Sequence, residues 1–387
     1  MKLFVFLDYY LPGYRAGGPP RTLFNMVERL SDEVEFWIFT RNHDLADPTP
    51  YPGVIADQWS KFGRAHVYYA SPKSCSLRHI RRIVLDAAPD AMYANSCFST
   101  LTIKYLILRR LGLLPSVRLI LAPRGEFSPG AIRIRALKKR TYLALARAGR
   151  LYQGISWHAS SPLEQADILK EMGPHCQVQV APNIPAPLEA AGGSTPRAPK
   201  VSGQVRFVFI SRISEKKNIL QAVTLLPALA GEIEFDIYGP IEDEIYWRKC
   251  STAISQMPSN VKVQYKGMLN PSEILNVFSK YHFFLFPTFG ENFGHVIFES
   301  LSAGCPVIIS DQTPWRQLAE KRVGWDLSLQ DLDLWRVTLQ QCAAMEEATY
   351  SQYARGARAL AEDFSSNKAI VEQNLALLTG APPPPVA

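Results

Sequence analysis

The stretch FFLFPTFGENFGHVIFESLSAGCPVIISDQTPW, residues 283–315, decides the fold. Its first four residues, Phe283 to Phe286, are wholly apolar, and a strand covered on both faces of a parallel sheet loses the polar/apolar alternation. Pro287 stops the run, and a short loop carries Glu291, Asn292, Phe293 and Gly294. An apolar-periodic helix containing Glu299 follows and is ended by Gly304. A second buried strand, VIIS (307–310), leads into Thr313-Pro314, which reads as the cap and first-turn pair of another helix. The pattern is a βαβ unit with two carboxylates, Glu291 and Glu299, at the loop-to-helix junction. Amides at such a junction make an anion site, and Gly294 lets the backbone come close to the anion because it has no Cβ. Carboxylates do not bind phosphate, so the glutamates read as acceptors for ligand hydroxyls on either side of it. A sugar joined through a diphosphate to a nucleoside has that order of groups. The competing reading is a pair of solvated charges on an ordinary βαβ unit.

Upstream of this stretch the same alternation of elements appears twice. KLFVFL (2–7), EFWIFT (35–40), HVYYA (66–70), AMYAN (91–95), RLILAP (118–123) and GISWHAS (154–160) read as strands, and VQVAPNI (178–184) as a last segment. Helices lie between several of them, the first marked by Leu23, Phe24, Met26, Val27 and Leu30. Such spacing implies a doubly wound, mostly parallel α/β sheet. Residues 185–204 are rich in Pro, Gly, Ala and Ser and lack apolar periodicity, as a linker does. The pattern restarts with VRFVFIS (205–211), EFDIYG (234–239) and VKVQYKG (261–267). The expected organisation is a first domain over 1–184, the linker, a second domain over 205–365, a closing helix over 366–380 and a proline-rich tail over 381–387. Length agrees, since 387 residues exceed one ordinary core and suit two domains.

Composition narrows the class. With 47% hydrophobic and 20% charged residues the chain reads as a soluble globular protein, and no apolar run is long enough to span a bilayer. The N-terminus acquires Asp8 early and lacks a small-residue cleavage site, so it reads as a first strand. Six cysteines without CxxC spacing predict reduced thiols, no structural zinc and a cytoplasmic location. The net charge of +7 is uneven: residues 131–150 hold seven basic residues and no acid, with Arg133, Lys139, Arg140 and Arg147 among Ile134, Leu137, Tyr142 and Leu145. A basic amphipathic helix there can rest on an anionic membrane, making a peripheral protein; a solvated helix face is the plainer reading. No nucleic-acid module accompanies the charge.

The E-x7-E spacing after a strand and FPT, with FG between the glutamates and AGCPVI after them, resembles the retaining glycosyltransferases of family 4. That resemblance implies the GT-B architecture, two facing Rossmann-like domains with a cleft between them. It implies that Glu291 contacts donor-sugar hydroxyls, that Glu299 holds the nucleoside ribose, and that backbone amides of Phe293, Gly294 and His295 face the diphosphate. Arg212 and Lys217, five residues apart on a strand-exit loop, match a cation pair that the family turns on the diphosphate, where charge builds on the leaving nucleotide. Gly239 matches a glycine near the base or phosphate, although the family more often has GxGP there. Gly17 and Gly18, which do not form GxGxxG, resemble a glycine pair placed across the cleft from the donor phosphates. APRGEFSPGA (122–131) is similar to a segment of one subset of the family. Arg124 and Glu126 stand where many relatives have a donor-contacting histidine, so they become candidates for donor or acceptor contacts. His158, within SWHASS, is a cleft candidate or a satisfied structural histidine.

The implied function is transfer of a sugar from a UDP- or GDP-linked donor to a glycan or lipid-linked acceptor, with retention and without cofactor or metal, in cell-envelope or exopolysaccharide synthesis. Asp331-Leu332-Asp333 reads as a helix cap and not as a metal-binding DxD. The alternatives are a nucleotide-sugar epimerase of similar fold, a non-enzymatic sugar- or membrane-binding protein, and a nicotinamide oxidoreductase, which the missing GxGxxG disfavours.

Overall fold

The computed structural model describes residues 1–133, 136–188 and 199–382. The chain divides into two compact units, one of Met1–Ala186 with Asn367–Ala387 and one of Pro187–Ser366.

The first unit is built on eight strands: β1 (Lys2–Phe6), β2 (Glu35–Arg41), β3 (Trp59–Phe62), β4 (Ala65–Ala70), β5 (Ala91–Asn95), β6 (Arg118–Ala122), β7 (Ser156–Ala159) and β8 (Gln177–Val180). They lie in the order β3-β4-β2-β1-β5-β6-β7-β8, all parallel except β3 against β4. Helices α1 (Gly18–Leu30), α2 (Leu77–Ala87), α3 (Thr100–Arg110), α4 (Pro129–Arg133), α5 (Ala136–Ala148) and α6 (Pro162–Met172) connect them. Local chemistry sets their starts. Pro19 and Pro20 occupy the first turn of α1, and the Ser99 hydroxyl accepts from the amides of Leu101 and Thr102 at the head of α3.

The second unit holds β9 (Gln204–Ile210), β10 (Glu232–Tyr238), β11 (Val261–Gly267), β12 (Phe283–Phe286), β13 (Val307–Ser310) and β14 (Gly324–Leu327), all parallel, in the order β11-β10-β9-β12-β13-β14. Its helices are α7 (Ile219–Leu225), α8 (Glu244–Ile254), α9 (Ile274–Phe278), α10 (His295–Ser302), α11 (Leu332–Ala344) and α12 (Glu347–Ser366). Phe207, Phe209, Phe283, Phe284 and Phe286 are fully buried, which is why these strands read as unbroken apolar runs. Asp331 caps α11, its carboxylate accepting from the Leu334 amide at 2.9 Å.

A last helix, α13 (Lys368–Thr379), packs on the first unit. Arg118 of β6 donates to the carbonyls of Leu377 and Leu378 at 2.6 and 3.0 Å, and Asn374 donates to Pro182 O at 2.7 Å. Ile370, Leu377 and Leu378 are buried there, worth about 1.5–3 kcal/mol each.

Both sheets reverse winding once, at β1/β5 and at β9/β12, and ligands of open α/β sheets bind beyond the strand carboxyl ends at such points. The structure departs from the sequence reading in three places. Thr313-Pro314 does not open a helix: the Thr313 hydroxyl accepts from the Trp315 amide and Asp326 takes the amides of Gln317 and Leu318, holding the segment as turns. Strands β3 and β14 were not legible, being four-residue edge strands that include Lys61 and Asp326. Of the expected linker, residues 189–198 lie outside the described residues, as do Ile134 and residues 383–387 of the tail. Among the described residues no helix is long and apolar enough to cross a membrane.

Candidate functional site

At the β9/β12 switch the chain leaves β9 through Arg212 and a 3-10 turn, Glu215–Lys217, and leaves β12 through Pro287 and Thr288. The two exits are laced together. The Phe289 amide donates to Lys216 O at 2.9 Å, and the Thr288 hydroxyl lies 3.3 Å from the same carbonyl. This fixes Lys217 opposite Glu291. The Lys217 ammonium donates to the Glu291 carboxylate and sits 5.4 Å from the centre of the Phe286 ring. The Thr288 hydroxyl reaches the same carboxylate at 3.2 Å. Side-chain exposures of 11% and 14% put the pair almost wholly inside the protein. Burial pushes the Glu291 carboxyl up, but the charges of Lys217 and Lys216, with the bonds from Lys217 and Thr288, outweigh it and hold the group below its ordinary value.

Gly294 caps α10 with φ 76° and ψ 63°, the left-handed region. A Cβ there would meet Ile297 Cδ1 at 2.7 Å. Phe293 and His295 flank it. The Phe293 ring is buried against Trp315 and Phe364, and its carbonyl accepts from the Trp315 indole at 2.6 Å, so only its backbone is available to a ligand. The N-terminus of α10, with its partial positive charge, lies close to Glu291, whose Cβ is 3.6 Å from where a Cβ on Gly294 would stand. Glu299 stands one turn into α10, partly buried. A cation, a carboxylate and a helix N-terminus thus lie side by side at the β9/β12 switch, a set suited to a ligand carrying both phosphate and hydroxyl groups.

The other sequence candidates have partners of their own. Arg212 pairs with Glu242 at 2.9 Å, a contact hidden in the acidic run Glu242-Asp243-Glu244. Thr288 is the other residue the reading missed, although the FPT triplet carried it. Gly239 is required by the fold itself: with φ 133°, a Cβ would stand 1.9 Å from Ser211 O.

In the first unit, Gly17 caps α1 at φ 77° and Gly18 opens the helix. The β1/β5 switch holds a cavity of about 230 Å³ lined by Asp8, Tyr9, Asn95, Ser96, Arg124 and Glu126, among others. Two of these, Ser96 (φ 73°) and Arg124 (φ 57°), are left-handed non-glycine residues. Arg124 donates to Asn95 Oδ1, Asn183 Oδ1 and Tyr93 Oη at 2.6–3.0 Å. Glu126 accepts from the Ser96 hydroxyl and the Cys97 amide. Burial pushes its carboxyl up to about 7 against the pull of those bonds and of Lys139. Of the two readings of His158, the contacts fit the satisfied structural histidine. It is 1% exposed, its Nδ1 bonds Tyr93 Oη at 2.6 Å and its Nε2 bonds Ala181 O at 2.8 Å, which leaves no ring atom for a ligand. Burial and the Arg124 charge push its pKa down to about 3, so the ring is neutral.

Two parallel-sheet, Rossmann-like units of this kind define the GT-B fold of glycosyltransferases. Residues 195–325, which include Arg212, Lys217, Glu291 and Glu299, match the model of the family described as glycosyl transferases group 1. Solved structures are similar over nearly the whole chain. Sucrose-phosphate synthase from Thermosynechococcus elongatus superposes with a TM-score of 0.74 at 15% identity, covering 98% of each chain. HepE of Anabaena, solved with UDP and glucose, gives 0.70 at 15% identity over 98% of this chain and 100% of its own. WaaG, a glycosyltransferase involved in lipopolysaccharide biosynthesis, gives 0.66 at 13% identity with the same coverage. A search of curated proteins finds no match.

Proposed function

We propose that the protein is a retaining glycosyltransferase of family 4 that moves a sugar from a UDP- or GDP-linked donor to a glycan or lipid-linked acceptor in cell-envelope or exopolysaccharide synthesis. The observation that carries this reading is the Lys217–Glu291 pair at the β9/β12 switch beside the N-terminus of α10. It lies inside the span that matches group 1 glycosyl transferases, and a GT-B relative solved with UDP and glucose supports a uridine donor. In the reading, amides of Phe293, Gly294 and His295, with Lys217 and Arg212, hold the diphosphate; Gly239, Gly17 and Gly18 border it; Glu299 holds the ribose and Glu291 the sugar hydroxyls. Arg124 and Glu126 contact the acceptor or the sugar.

Reaction proceeds on one face of the sugar. The bond from the anomeric carbon to the phosphate oxygen breaks, the acceptor oxygen bonds to that carbon, and the acceptor proton passes to the departing phosphate. Cationic side chains stabilise the leaving diphosphate, the task a metal performs elsewhere. The test is to incubate the protein with UDP- and GDP-sugars, identify by thermal shift the donor that stabilises it, and assay transfer with and without EDTA. Nucleotide-dependent stabilisation and chelator-resistant transfer are expected; a chelator-sensitive reaction would overturn the metal-free mechanism, and no response to any donor would overturn the function.

A further inference from the structure

One surface of the first unit has a composition the transfer chemistry does not call for. Residues 100–150 contain twelve Lys and Arg and a single acid, Glu126, which is bonded to Ser96 and Cys97. On α5, at about 100° per residue, Leu137, Thr141, Ala144, Leu145 and Ala148 fall on one arc. All five are exposed, Leu137 by 84% and Leu145 by 68%, and the Thr141 hydroxyl turns back to donate to Leu137 O at 2.9 Å. Arg140 and Arg147 border that arc on one side and Lys138 on the other, all exposed, while Leu143 and Ala146 on the opposite side are buried. Arg147 has the Glu171 carboxylate at 3.9 Å and remains half exposed. A solvated helix carries its charges at the centre of its outward face; here that face carries Leu137, Leu145, two alanines and one threonine without a charge, and the charges form the rim.

A second segment extends the strip. The loop after α3 presents Leu111 and Leu113, 66% and 43% exposed. Its place beside α5 is fixed by hydrogen bonds. Arg110 donates to Gly149 O at 3.0 Å, and Gly149 donates back to Leu145 O at 2.9 Å. Arg109 donates to the carbonyls of Gln153 and Gly154, and Arg81 of α2 to Leu113 O at 3.0 Å. Exposed leucines from a second stretch of chain thus lie next to the C-terminal end of α5.

We propose that this face docks on an anionic lipid bilayer, with the leucines entering the boundary between headgroups and acyl chains and the cations meeting lipid phosphates. Long basic side chains lay their stems on apolar surface while their heads stay with the anions, which matches the order of residues across α5. Single-stranded nucleic acid would reward an aromatic platform, and this face offers aliphatic side chains instead. The inference rests on the transferase reading only for its purpose, which is bringing a lipid-linked acceptor to the enzyme; the docking is measured apart from it.

The test is co-sedimentation of the full chain with vesicles of phosphatidylcholine containing about 30% phosphatidylglycerol, and with pure phosphatidylcholine. Enrichment on the anionic vesicles, reversed by salt, is expected. K138Q/R140Q should weaken it roughly 25-fold, at about fivefold per lost charge, and L137S/L145S about tenfold or more. All four side chains are exposed, so both variants keep the fold, checked by an unchanged melting point and unchanged stabilisation by UDP. Failure to sediment with anionic vesicles, or sedimentation untouched by both variants, overturns the proposal. So does a dimer that L137S/L145S dissolves, or binding to DNA in preference to vesicles. A chain that sediments normally but ignores every nucleotide would instead refute the transferase reading alone.

Discussion

Three variants, Glu291→Gln, Lys217→Met and the two combined, separate a buried ion pair from two independent charges. With side chains only 14% and 11% exposed, the pair belongs among buried ones, where removing one partner costs about 3–5 kcal/mol because the other charge is left uncompensated. Some residual exposure favours the lower end, about 3 kcal/mol. The unit spanning Pro187–Ser366 is of a size for which each kcal/mol shifts the melting point by about 2–4 °C, so either single variant should melt about 6–12 °C lower. The double variant, with no stranded charge, should recover most of that loss, giving a coupling energy of more than about 4 kcal/mol. Acid supplies an independent check. Glu291 is held below the ordinary carboxyl value of 4.5, so its ionised form contributes stability above that value and the contribution is lost as pH falls through the folded-state value. Wild type should therefore lose stability in acid more steeply than Glu291→Gln. Function divides the singles: Glu291→Gln abolishes transfer and keeps nucleotide binding, whereas Lys217→Met weakens nucleotide binding as well. Melting curves as a function of pH, with donor titrations, read all of this. Single costs below about 1 kcal/mol that simply add would show the pair to be solvent-screened, and the reasoning would fail.

Gly239→Ala should be poorly tolerated, losing more than about 3 kcal/mol, because its Cβ would stand 1.9 Å from the Ser211 carbonyl at φ 133°; an unchanged melting point would refute the close approach. Gly294→Ala meets only the flexible end of Ile297, so the left-handed φ of 76° should cost about 1–2 kcal/mol while donor affinity falls about tenfold or more, as calorimetry would show. Glu126, raised by burial from 4.5 to about 7, binds its proton more tightly when folded; stability should decline as pH rises through that window and level off above it, and Glu126→Gln should flatten the profile.

The middle of the second sheet was legible because β12 and β13 are buried on both faces: FFLF and VIIS announce themselves as apolar runs. The site was half legible. Glu291, Gly294 and Glu299 stand in one contiguous motif, and the cations five residues apart sit after an obvious strand. What the sequence could not show was partner choice. Arg212 faces Glu242, thirty residues on, and Lys217 faces Glu291, seventy-four residues on; such pairings follow from strand order and leave no local periodicity. His158 was left between two readings for a related reason: a strand-end histidine looks alike whether it meets a ligand or Tyr93. Thr313-Pro314 carried a genuine helix-start signal that Asp326, from a neighbouring strand, overrode by taking the amides.

The return of α13 to the first sheet makes the second unit an insertion within the first. The chain leaves the first unit at Ala186 and rejoins it at Asn367, so the unit translated first is completed last. Until Arg118 can bind the Leu377 and Leu378 carbonyls, the nascent protein carries an unfinished layer of apolar side chains that waits for the ribosome to deliver its cover.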